Sequence, residues 1–215
     1  MLKIARAFGL CVGVLALFGL GGCAVGNHQQ YSGLVPDLKA SGQHSVAVAV
    51  VDNRPYVVNG DKDPDFVGLQ RGGFGNPFDV GTDSRQPLAA DLAADIVAGL
   101  KQRGRATEAI AVKPGTPADE VLKAASATGK DRLLILDLRQ WKSDTYTNTA
   151  LIYNVEAKVC DATGHPLATV TKQGDDDLGG NLMDPPGHAK DAVPPATKAI
   201  LESLLNAPEI AAALQ

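Results

Sequence analysis

Apolar positions are unevenly spread along the chain. Leu, Val, Ala, Phe and Gly dominate from Ala7 to Gly22, and Lys3 and Arg6 are the only charges before position 37. A basic end followed by a short apolar run is the pattern of a secretory leader. The run is shorter than the ~20 apolar residues a permanent span needs. Residues 24–44 carry Gly, Asn, Gln, His and Ser with few apolar anchors, which predicts a tether. Ser45–Val51 (SVAVAVV) is apolar on both of its faces, which predicts a central strand covered on both sides.

A stretch rich in Gly and Pro follows from Asp52 to Arg85 and reads as a long flexible loop. Leu88, Leu92, Ile96 and Leu100 then recur every four residues, the spacing of an amphipathic helix ended by Gly104. Ala106–Val112 predicts a short strand, and Thr116 to Gly129 a second helix. Arg132–Trp141 predicts a third strand around LLILDL. In Thr149–Cys160, Leu151, Tyr153, Val155, Ala157 and Val159 alternate with polar residues, a strand with one wetted face. Pro166–Gln173 returns after the Asp161–Gly164 turn as a hairpin partner. Gly174–Gly187 reads as a second flexible loop, and Pro194-Pro195 as the opening of a helix to Asn206. The expected fold is therefore α/β. It has a mixed sheet of about five strands with about three helices packed on it, in the order β-α-β-α-β-β-β-α. Residues 45–215 form one domain, with loops 52–85 and 174–187.

With 45% hydrophobic and 20% charged residues, the composition is that of a globular protein and excludes wholesale disorder. A net charge of -4 argues against nucleic acid as a partner, and losing Lys3 and Arg6 with the leader makes the body more acidic. Of the 3 cysteines, Cys11 leaves with the leader and Cys160 falls in a predicted strand as a buried thiol.

Little in the chain points to catalysis. No HExxH, Cys-x-x-Cys or G-x-S-x-G pattern is present, so no metal ligand, cofactor or catalytic residue is assigned and the chain reads as non-enzymatic. Asp61, Asp63 and Asp65 resemble the start of a calcium loop, but Phe66 replaces the required glycine. Asp175–Asp177 form a charge cluster whose members alternate in direction on a strand. Arg71-Gly-Gly-Phe-Gly-Asn76 offers backbone N–H groups to an anion, or else a turn with Phe74 tucked inward. Asp52 and Arg54 stand at the end of the central strand, where clefts open in α/β sheets. Asp52, Arg54, Arg71 and Phe74 are thus the candidate ligand- or partner-binding residues; the alternative for the strand end is structural, with Arg54 paired to a neighbouring carboxylate and Pro55 fixing the exit turn. Trp141 and Tyr146 are candidates for an exposed aromatic site or for core packing.

Leu20-Gly21-Gly22-Cys23 resembles the lipobox of bacterial lipoproteins. The resemblance implies that residues 1–22 are removed and that Cys23 carries diacylglycerol and an acylated amino group. Residues 23–44 then link lipid to domain. Ala24, in place of Asp, implies the outer membrane and its periplasmic face. VAVAVVDNRP, the glycine-rich stretch and the helix after it resemble YajG-type lipoproteins. The order of elements resembles the domain shared by curli-secretion lipoproteins and the amino-terminal part of TolB. These resemblances imply an envelope accessory or assembly role, with the membrane reached through Cys23 and an envelope protein as partner. A small-ligand or enzymatic cleft near Asp52 and Arg54 is the alternative.

Overall fold

The structure, a computed structural model, describes residues 27–215. The leader and Cys23 lie outside the described residues. The elements are β1 (Asn27–Gln29), β2 (Val46–Asp52), α1 (Pro55–Val58), β3 (Phe66–Arg71), β4 (Pro77–Thr82), α2 (Leu88–Gln102), β5 (Thr107–Ile110), α3 (Ala118–Ser126), β6 (Arg132–Thr145), β7 (Asn148–Asp161), β8 (Pro166–Gly180), α4 (Pro185–Leu205) and α5 (Pro208–Leu214). The expectation of five strands and three helices is corrected, among the described residues, to one mixed sheet of 8 strands with five helices.

The sheet is organised around β6, which is long enough to serve different neighbours along one edge. Its first half, Arg132–Leu138, pairs in parallel with β2. Its last residues, Ser143–Thr145, pair in parallel with β3. β5 lies outside β2, and β4 then β1 lie outside β3. The opposite edge of β6 is filled by β7 in antiparallel register from Arg132↔Asp161 to Thr145↔Thr149, and β8 continues the sheet beyond β7.

Both faces of β2 are covered, as its apolar alternation predicts. Val46, Val48 and Val50 join Leu134, Leu136 and Leu138 in the large core under α2, α4 and α5. Ala47, Ala49 and Val51 face α3 through Val121 and Ala125. Cys160 is buried on this second face, and burial pushes its thiol up, which disfavours the thiolate.

Three expectations change for identifiable reasons. The 52–85 stretch contains α1, β3 and β4, because its glycines serve the sheet. A Cβ on Gly68 would fall 2.6 Å from the carbonyl oxygen of Ser143, so glycine lets β3 approach β6. The first half of the 174–187 loop is β8, whose pairing with β7 runs on to Gly180, and its last residues open α4. Pro194-Pro195 lies inside α4 and does not open it. The helix starts at Pro185-Pro186, where no N–H is needed, and the Asp184 side chain accepts from the Gly187 N–H at 2.9 Å.

Residues 27–44, expected to be a tether, form a strap over the helices. Tyr31, Leu38 and Ala40 are buried. Asp95 on α2 accepts the N–H groups of Gly33 and Leu34 at 2.9 and 2.8 Å. Glu202 and Asn206, at the end of α4, accept the N–H groups of Asp37 and Lys39. Gly99 stands in the last turn of α2, inside the helix, where glycine costs up to about 1 kcal/mol. A Cβ there would lie 2.7 Å from the Pro36 carbonyl oxygen, so the missing side chain is the groove in which the strap crosses.

Asp95→Ala removes two charge-assisted hydrogen bonds. It should cost about 1.5–3 kcal/mol in urea unfolding and open residues 30–44 to limited proteolysis. Asp91 lies one turn before Asp95, and burial pushes both carboxyls above the ordinary aspartate value. Ser84 at Asp91 and the strap N–H groups at Asp95 oppose the shift without cancelling it. Because the folded values exceed the unfolded ones, the folded chain binds these protons first as pH falls. Stability therefore rises on acidification between the two values and drops as pH climbs back through them. Asp91→Asn should flatten that rise, measured as thermal midpoints across a pH series.

Candidate functional site

The polar cluster that closes the central strand is built by the division of β6 between its neighbours. β2 leaves β6 at Leu138, where the Asn53 N–H bonds the Leu138 carbonyl at 2.9 Å, and β3 joins only at Ser143. The intervening edge of β6 has no strand beside it, so its buried carbonyls need other donors. The Trp141 carbonyl on this edge takes them from Tyr56 and Arg54, in the turn after β2 where Pro55 starts α1.

All five guanidinium N–H groups of Arg54 are used. Nε donates to Asp52 Oδ1 at 2.8 Å and Nη2 to Asp52 Oδ2 at 2.6 Å, a bidentate pair. Nη2 also donates to the Pro64 carbonyl at 3.1 Å. Nη1 donates to the carbonyls of Phe66 at 2.6 Å and Trp141 at 3.4 Å. The Tyr56 hydroxyl donates to the same Trp141 carbonyl at 2.8 Å, and its ring lies 5.6 Å from the guanidinium carbon. Burial pulls the Arg54 pKa down, but hydrogen bonding to Asp52 and its charge override that and raise it. Trp141 donates through Nε1 to the Tyr31 hydroxyl of the strap at 3.1 Å. Burial pushes that phenol up to about 12, so it stays protonated.

Arg54 and Asp52 are 0% and 2% exposed, so neither presents a charge to a ligand. The pair is the structural alternative: one guanidinium joins the ends of β2, β3 and the middle of β6. Arg71 and Phe74 lie elsewhere, at the free end of the β3–β4 hairpin. Arg71 forms a bidentate pair with Asp144 at 2.7 and 2.6 Å. Phe74 is fully exposed, so the reading of a turn with this ring tucked inward is corrected. Trp141 is core and Tyr146 is half exposed, so they form no joint aromatic site. Lys62 pairs with Asp79 at 2.6 Å beside the Asp61–Asp65 segment. No group of His, Cys, Asp and Glu among the described residues is placed to hold a metal ion.

The cleft near the end of β2 opens on the opposite face, beside α3. It has a volume of about 260 Å³, an apolar floor that includes Val51 and Ile135, and a charged wall. Arg139 spans that wall, donating to Asp137 at 2.9 Å and Glu156 at 2.7 Å. Asn53 donates to Asp137 at 2.7 Å. The wall residues were not singled out in the sequence, because they come from strands about 20 residues apart and meet only through the β6–β7 register.

No protein-family model matches the chain, and no curated protein matches it either. Solved structures do. A Xanthomonas campestris protein of the DUF330 family superposes with a TM-score of 0.51 at 15% identity, over 86% of this chain and 93% of that one. A PelC dodecamer from Paraburkholderia phytofirmans gives 0.39 at 16% identity, over 78% and 93%. A lipoprotein from Neisseria meningitidis gives 0.32 at 13% identity, over 77% and 100%. The first likeness shows a shared fold. The other two superpose too loosely to carry an argument. None of these likenesses shows a specific YajG-type or TolB identity.

Arg54→Met should destabilise the domain by about 3–5 kcal/mol, because it strands a buried carboxylate. The double variant Asp52→Leu/Arg54→Met should recover part of that loss. Chemical denaturation of the single and double variants gives the coupling, and a double variant no better than the single would refute the clamp.

Proposed function

We propose that the chain is a lipid-anchored accessory protein of the bacterial envelope and has no catalytic role. In this reading Cys23 carries the lipid, the domain stands at the periplasmic face of the outer membrane, and it binds another envelope protein. The observation that carries the partner claim is the free edge of β8. This strand has 15 residues and, among the described residues, pairs with β7 alone. Its outer edge presents unpaired N–H and C=O groups over most of the length of the domain, a template for an added strand. Asp52 and Arg54 support a non-catalytic reading because they satisfy one another, which leaves no activated group at the strand end.

A ligand in the cleft beside α3 is the second reading. The cleft has the apolar floor of a small-molecule site, but its cations and carboxylates already pair with each other.

Photo-crosslinking in cells tests the partner claim. Probes at Thr171 and Gln173 on the β8 edge should trap a partner, whereas a probe at the exposed Glu120 of α3 should not. Crosslinks at 120 and none on β8 would reject the edge. Metabolic labelling with an alkynyl fatty acid tests the anchor: the label should vanish in Cys23→Ser, and persistent labelling would reject lipidation at that residue.

A further inference from the structure

Most of the large apolar side chains left exposed on this domain gather at one end of it. The β3–β4 hairpin carries Phe74 at its tip and Phe78 just after it. The β6–β7 turn carries Tyr146, and the link from β8 to α4 carries Leu182 and Met183, 80% and 93% exposed. Sheet register places these three loops together. Gln70 pairs with Thr145, and the Tyr146 hydroxyl donates to the Gly73 carbonyl at 3.3 Å, so the hairpin tip touches the β6–β7 turn. Asn148 pairs with Gly180, so the chain leaves β8 beside that same turn. Three loops of different sequence thus present large apolar groups at one end of the domain. Loop tips have no structural need for such groups, and a patch of this kind marks a contact surface.

The N-terminal strand says what the surface meets. β1 runs parallel to β4, with Asn27 beside Val80. β4 begins at the hairpin, at Pro77, so β1 travels away from the apolar end. Cys23 stands four residues before Asn27. Whatever path they take, four residues span at most about 14 Å. The length of Pro77–Val80 is about 10 Å, less than that span, so an acyl group on Cys23 is within reach of the same end.

We propose that this end of the domain docks on the bilayer, with Phe74, Phe78, Tyr146, Leu182 and Met183 entering the lipid interface beside the anchor. The inference rests on the lipidation of Cys23 proposed above. It adds a second contact that fixes how the domain stands on the membrane, as expected of apolar side chains at an interface. Asp175–Asp177 lie near this end of β8, and Arg71 is already paired with Asp144. Attraction to anionic headgroups is therefore not what holds the contact, and zwitterionic lipid is the surface it fits.

The test uses the full chain, matured in a bacterial envelope, purified from membranes and reconstituted in vesicles of phosphatidylethanolamine and phosphatidylcholine with brominated acyl chains. Phe74→Trp and Met183→Trp each place an indole at the apolar end, and Leu167→Trp places one at the start of β8, at the opposite end. The native Trp141 is fully buried and gives a constant background. Vesicle flotation should recover all three variants. Emission from positions 74 and 183 should be quenched by bromine, that from 167 should not, and the pattern should persist in about 0.5 M salt, where exposed charge interactions are screened. A chain that floats but shows no quenching at 74 and 183 overturns docking and leaves the anchor standing. A chain that does not float overturns both. Equal quenching at 167 overturns the orientation. A blue-shifted but unquenched indole at 74 shows burial against protein, and overturns the lipid assignment.

Discussion

The architecture depends on the Arg54 guanidinium at the point where β6 changes partners. A strand that pairs with β2 in its first half and β3 in its last leaves carbonyls between them that no ladder reaches. In a wetted sheet water would satisfy them. Here the site is sealed by Trp141, Tyr31 and Phe66, and an unsatisfied carbonyl would cost about 1–3 kcal/mol. A planar cation with five donors meets this need, and Asp52 neutralises it at the end of the same strand that leaves the sheet. The sheet can therefore divide without opening a polar hole in its core.

The same junction orders the parts of the surface. With β3 held against the far half of β6, its hairpin projects past the end of the sheet and reaches the β6–β7 turn. With β2 held against the near half, its other face is free to receive α3. The two contact regions proposed for the domain adjoin only where β8 ends: one is the edge of β8, the other is the loop end. Anchorage at one would leave the other accessible.

Repetition made much of the fold legible in the sequence. β2, α2 and β7 repeat one pattern over several residues, and each stands where its period placed it. β3 and β4 were hidden because their glycines are structural: Gly68 reads as a loop residue until Ser143 is found against it. The end of β6 was hidden because Ser143 and Thr145 face the core with small polar side chains in place of apolar ones. The strap was hidden because its backbone is satisfied by Asp95, Glu202 and Asn206, which its own composition does not reveal. Of the candidate site residues, Asp52 and Arg54 were rightly placed at a strand end. That they face each other, not solvent, follows from a neighbour change on β6 that no local window contains. Phe74 was legible as a residue of interest, but its company of Tyr146, Leu182 and Met183 depends on register between distant strands.

The strap has a consequence for the order in which the chain acquires its structure. Gln29 donates to the Ala189 carbonyl across 160 residues, and Asp37 and Lys39 find their acceptors across 165 and 167. Contacts so distant in sequence close late, after the local hairpins and helices that they must fit. The amino-terminal segment finds part of its seat on β4 and α2, but the seat is whole only once α4 is complete. Its seating over α2 and α4 is the event that completes the domain.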